Sequence, residues 1–118
     1  MTHFKSASIT LLVLLALAVA CSDSPSDPGP IETNEVSVQD NVFNPMTSLV
    51  APGETVEWTW EGQNLHDVTW DTADLPDSPT QTDGTHQVTL PTEPGEYGYH
   101  CQVHGAPGQG MHGTVVVE

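Results

Sequence analysis

The chain has 118 residues, with 16 Asp and Glu against a single Lys or Arg, and a formal net charge of −15. That balance excludes nucleic acid as a partner, because phosphate contacts need Lys and Arg. With 36% hydrophobic residues in a chain of this length, one small core is the expectation.

The one cation, Lys5, stands at the N-terminus, followed by an apolar run over 9–20 that is short for a bilayer span. Ala18-Val19-Ala20-Cys21 adds small residues and a cysteine. Together these resemble a bacterial lipoprotein signal, in which 1–20 is removed and Cys21 carries the lipid. The other reading is an ordinary secretory signal cleaved near Ala20, with Cys21 a bystander. The lipoprotein reading is preferred, because a polar linker begins directly after the cysteine. Either way the protein is exported, and the preferred reading anchors it to the membrane by lipid, facing the periplasm or cell exterior.

Residues 21–34 are rich in Pro, Ser, Gly and acid. Such a segment buries too little apolar surface to order itself, so a flexible tether is expected. One domain remains, 35–118. All 16 acidic residues lie after residue 20, so a chain without the signal carries −16. The acids are spread over the whole domain, which favours general solubility, of which adaptation to a salty medium is one form, over steering toward a basic partner.

The domain reads as all-β. Val36 and Val38 alternate with polar residues, and Asn41 to Pro45 supplies turn residues. A short strand over 48–50 ends at the Pro52-Gly53 turn. Thr55 to Trp60 puts Val56, Trp58 and Trp60 on one face. Residues 67–70 form a further strand, and 71–83 is a polar loop without periodicity. Val88 and Leu90 face inward from the next strand. Tyr97, Tyr99 and Cys101 share a face of another, and Val115 and Val117 share a face of the last. The tryptophans are framework by this parity. About seven to eight short strands with turns between them predict a Greek-key β-sandwich or barrel.

Chemistry concentrates near the end of the chain. Cys101 and His104 stand three apart, a Gly-rich loop follows, and Met111 closes it. Cys101 has no evident disulfide partner in an exported protein, and metal ligation explains a free thiol there. Thiolate, imidazole and thioether are the donors that suit copper, and His66 supplies a second imidazole. Two His, one Cys and a weak axial Met form the blue-copper electron-transfer arrangement. Singly, each of these residues is ordinary; their order along the chain carries the reading.

Three stretches then resemble the small blue copper proteins, the cupredoxins, of the plastocyanin-like kind. Asp40-Asn41-Val42-Phe43-Asn44-Pro45 with 50–58 is similar to the family's opening strands. His66-Asp67-Val68-Thr69-Trp70 resembles the stretch with the first His ligand, and 95–117 resembles the Cys-His-Met ligand loop. The resemblance implies one type 1 copper held by His66, Cys101, His104 and Met111. His112, next to Met111, is a competing ligand; Gly110-Met111-His112-Gly113 resembles the family's Gly-Met-x-Gly and favours Met111. Six residues separate His104 from Met111, a longer stretch than plastocyanin has. Asp67 stands where plastocyanin has an Asn that braces the ligand loop. His100 stands where plastocyanin has a Tyr; its parity points it away from Cys101. His100 and His86 are both expected to be surface residues.

The function expected is a membrane-tethered, monomeric one-electron carrier that meets redox partner proteins transiently. The alternatives are a copper carrier or storage protein, or a metal-free binding module on the same fold. A multicopper oxidase or nitrite reductase is not expected: Gln102 interrupts the His-Cys-His pattern and no His-x-His pair exists. Cys101-Gln102-Val103-His104 is not a haem attachment motif.

Overall fold

The computed structural model describes residues 29–118. The signal segment and the lipidation candidate Cys21 lie outside the described residues. The described residues form nine strands: β1 (Ile31–Glu32), β2 (Glu35–Gln39), β3 (Val42–Asn44), β4 (Thr47–Val50), β5 (Thr55–Trp60), β6 (Thr69–Trp70), β7 (Thr85–Thr89), β8 (Gly95–Ala106) and β9 (Gln109–Val117). They form two sheets, in the orders β1-β4-β9-β8-β6 and β3-β2-β5-β7. The pairs β2–β5 and β4–β9 are parallel. Parallel neighbours need crossover connections, so the chain passes between the sheets and closes a sandwich.

Period-two alternation in the sequence becomes alternation of burial. Val36 and Val38 of β2, Val56, Trp58 and Trp60 of β5, Val88 of β7, Tyr99 and Cys101 of β8, and Val115 and Val117 of β9 all enter one core. Its centre is aromatic. Trp58, Trp70 and Tyr99 pack edge-to-face with centroids 5.4–5.7 Å apart, and Phe43 meets Tyr99 in the same T-shaped manner at 4.8 Å. Rings so arranged bury large area at low conformational cost and form a rigid floor. Tyr99 is two residues before Cys101 on the same face of β8, so that floor supports the cysteine.

The structure differs from the sequence pattern in five places, the first being that the strand expected over 67–70 is only β6, Thr69–Trp70. The Asn41–Pro45 stretch, expected as a turn, contains β3, which pairs antiparallel with β2 and buries Phe43. Asn41, at φ 67°, makes the turn between them. Three residues flanked by Asn and Pro are too few to show alternation. Ile31–Glu32, assigned to the tether, is a strand parallel to β4. Its side chains are both exposed, so only backbone pairing holds it. The strand count is therefore nine, above the seven to eight expected. The Gly-rich ligand loop is a hairpin extension of β8 and β9, with a register shift between His100 and Gly105.

The polar loop 71–83 contains no regular strand, as expected, but is closely tied down. Val68 N–H donates to Ser78 Oγ at 2.7 Å, and Ser78 N–H returns to Val68 O at 2.9 Å. Trp70 N–H donates to Asp77 Oδ1 and its indole N–H to Pro76 O.

Candidate metal centre

His66 lies outside the regular strands, in an isolated bridge with Gln81. The two exchange main-chain N–H···O bonds of 3.0 Å, and Trp60 Nε1–H donates to His66 O at 3.0 Å. The aperiodic loop therefore clamps one end of the site, and the core tryptophan holds the same carbonyl. The ring is fully buried.

The tautomer follows from the partners. His66 Nε2 stands 2.9 Å from Asp40 Oδ1. The Asp40 carboxyl sits below its ordinary range, first because of the hydrogen bond with His66 and next because of the Asn64 N–H. An ionised carboxylate only accepts, so Nε2 carries the proton and Nδ1 keeps its lone pair.

That lone pair faces the remaining donors. His66 Nδ1 is 3.8 Å from Cys101 Sγ and 3.1 Å from His104 Nδ1, and His104 Nδ1 is 3.8 Å from the same sulfur. Cys101 is a free, buried thiol at the end of regular β8 pairing. The register shift that follows lets residues three apart point at one place. His104 reaches the surface. Metal–ligand distances of about 2.0 Å to nitrogen and 2.3 Å to sulfur, as at zinc, place ligands spread in a plane around one ion about 3.7 Å apart for a nitrogen and the sulfur and about 3.5 Å apart for two nitrogens. The two sulfur–nitrogen separations meet that requirement, and the two nitrogens are somewhat closer.

Met111 enters β9 buried in the same core cluster as Cys101. Close backbone packing at the hairpin holds it there. A Cβ on Gly105 would lie 2.7 Å from Met111 N, and Gly110 takes φ 61° with its Cβ position 2.6 Å from His104 O. Only glycine meets both conditions without displacement. His112 has the opposite parity: it is partly exposed, with Nδ1 3.0 Å from Gly110 O.

Asp67 braces the site as its position suggests. Its carboxylate is buried; Oδ1 accepts Gln102 N–H at 2.7 Å and Oδ2 accepts the Thr69 hydroxyl at 3.1 Å. The two other histidines are not the plain surface residues expected. His100 does face away from Cys101's side of β8, but its Nδ1 pairs with Asp71 Oδ1 at 2.6 Å and its side chain is mostly buried. His86 is half-buried, with Nε2 3.1 Å from Pro76 O and its ring 6.3 Å from that of Trp58. Asp40 was not foreseen as a partner of the site: it lies 26 residues from His66, and no local spacing links a carboxylate in one turn to a histidine in another.

A family profile described as a Cupredoxin-like domain matches residues 9–117. This chain is a cupredoxin. A plastocyanin of Scenedesmus fuscus is 31% identical over 88 residues, covering 65% of this chain and 87% of the relative. The cupredoxin superimposes on a purple cupredoxin of Nitrosopumilus maritimus with TM-score 0.59 and 23% identity, covering 71% of this chain and 98% of the other. A pseudoazurin from Sinorhizobium meliloti gives 0.58 and 25%, covering 71% and 72%. A copper-containing nitrite reductase of Thermus scotoductus gives 0.56 and 24%, covering 88% of this chain but 26% of that one, a likeness of fold alone. The cofactor that the cupredoxin's donor set fits is a single copper ion.

Proposed function

We propose that this cupredoxin is an exported one-electron carrier with a mononuclear type 1 copper held by His66, Cys101 and His104, with Met111 as the weak axial donor. One observation carries the reading: the Cys101 thiol lies 3.8 Å from the Nδ1 atoms of both histidines at the buried end of the sandwich. When bound, copper supplies a reversible change of one charge. The protein's part is to hold the donors in one arrangement for both valences, which limits reorganisation. His66 is fixed by Asp40, Gln81 and Trp60, and Cys101 by the aromatic floor.

Burial favours a carrier over an enzyme. His66, Cys101 and Met111 are enclosed, so a substrate would have no path to a bound metal from their side. Of the four, His104 alone reaches the surface; Val103 and Leu65, the residues just before His104 and His66, are exposed as well. That edge is where a redox partner would dock through a small, transient contact. The reading includes a monomer tethered by lipid at Cys21, which raises its effective concentration near membrane partners.

The test is a visible spectrum of the chain titrated with Cu(II). An intense thiolate-to-copper band that saturates at one copper per chain and bleaches on reduction is expected. A colourless chain that binds copper tightly would instead make it a copper carrier. For the tether, Cys21→Ala should move the protein from the membrane fraction to the soluble one; unchanged partitioning would remove the lipid from the account.

A further inference from the structure

Asp40 is held as firmly as the ligand that it touches. Its Oδ1 accepts Asn64 N–H at 2.9 Å and Gln63 N–H at 3.0 Å, and Oδ2 lies 3.2 Å from Gln63 N. Gly62 passes so close that a Cβ there would meet Asp40 Oδ1 at 2.5 Å. The carboxylate thus anchors the 62–64 turn that leads to His66, and presents the same oxygen to the imidazole. The ring is sealed in the core, while the Asp40 side chain is about one-third exposed, at 37%. Water can therefore solvate the carboxylate charge without reaching the ring.

We propose that Asp40 is a charged positioning residue for the copper centre: it fixes His66 as the Nε2–H tautomer, aims Nδ1 at the metal, and biases bound copper toward the Cu(II) state. The inference rests on the type 1 copper reading above. A carboxylate that accepts a ligand imidazole's outer proton raises that ligand's basicity. A more basic imidazole and a nearby negative charge both stabilise the higher metal charge more than the lower. The effect needs the charge as well as the hydrogen bond. Asp40→Asn can keep Oδ1 as the acceptor for His66 and the 63–64 turn while it removes the charge and the longer Oδ2 contact to Gln63 N–H; Asp40→Ala removes every one of these.

The full chain is loaded with copper and its reduction potential measured for the parent, Asp40→Asn, Asp40→Ala and Glu93→Gln. Glu93 is an exposed acid between β7 and β8, at the end of β8 away from Cys101, so its variant reports the bare loss of one charge. Asp40→Asn is expected to shift the Cu(I)-over-Cu(II) preference about tenfold, a rise of about 59 mV for a one-electron couple. Asp40→Ala is expected to raise it at least as far and to weaken Cu(II) binding by about 10–100-fold. Glu93→Gln is expected to move neither. Nitrogen NMR shifts of the copper-free chain should show His66 protonated at Nε2. A blue parent whose potential responds equally to Asp40→Asn and Glu93→Gln overturns the proposal and leaves the carrier reading standing. So does an Nδ1–H tautomer. A parent with no blue band overturns the carrier reading, and the bias with it.

Discussion

Asp67 Oδ1 accepts the main-chain N–H of Gln102 at 2.7 Å, so the residue after one histidine is bonded to the residue after the cysteine. The bond runs from a buried carboxylate to the main chain of an exposed residue and is charge-assisted, a kind that is costly to lose. Asp67→Ala strands the Gln102 and Thr69 donors and should destabilise the copper-free protein by about 1–3 kcal/mol. Asp67→Asn retains an acceptor for Gln102 and removes a buried charge, so it should stay within about 1 kcal/mol of the parent. Urea unfolding of both decides it; an alanine variant as stable as the parent would show that the bond holds nothing.

Cys101→Ser should abolish the blue band, because a hydroxyl cannot replace the thiolate as a short covalent donor. Met111→Leu should keep the band and raise the potential, since it removes a weak donor that favours Cu(II). Absorption spectra and voltammetry check both. If Met111→Leu left spectrum and potential untouched, Met111 would not be the axial ligand.

Tyr99 links the core to alkaline stability. Burial holds its phenol well above the ordinary value, with the neighbouring Trp58 indole N–H pulling weakly the other way. Neither the Tyr99 hydroxyl nor the Trp58 N–H reaches a hydrogen-bond partner. A raised folded pKa gives stability that is complete below the unfolded value, about pH 10, and lost as pH rises toward the folded one. Tyr99→Phe should therefore change stability by no more than about 1 kcal/mol at pH 7 and lose less above pH 10. Thermal midpoints at pH 7 and pH 11 compare the two; parallel alkaline losses would sink the assignment.

Gly105→Ala tests the tight hairpin behind Met111. The added Cβ meets Met111 main-chain atoms at 2.5 and 2.7 Å, and backbone cannot swing aside as a side chain does. A loss of about 1–3 kcal/mol is expected, with a displaced blue band if the strain reaches Met111. Unfolding midpoints equal to the parent's would mean that the hairpin relaxes freely.

Much of this was legible in the residues, for physical reasons. Strict parity put Trp58, Trp60, Tyr99, Cys101 and Val115 inside, because one face of each strand must leave water. The grouping of His66, Cys101 and His104 was legible because their order and chemistry are unusual together. What could not be read were features created by tertiary pairing. β1 has no apolar pattern and exists through its hydrogen bonds to β4. β3 is three residues between turn formers. The partners of His100 and His86 come from the aperiodic loop and its start, where no repeat signals contact. Asp40 is the sharpest case: it is one acid among 16, and only the fold distinguishes it.

The closeness of His66 to Cys101 has a thermodynamic side as well. The two are 35 residues apart in the chain. An ion that bonds to both is a cross-link, closing a ring much as a disulfide would. By the chain-entropy estimate, a ring of that size takes about 4 kcal/mol of freedom from the unfolded ensemble if the link persists there. Even where it does not, metal bound only by the native fold shifts unfolding by mass action. On the copper reading, Cys101 would thus double as half of a staple, in a small sandwich whose described residues contain no disulfide.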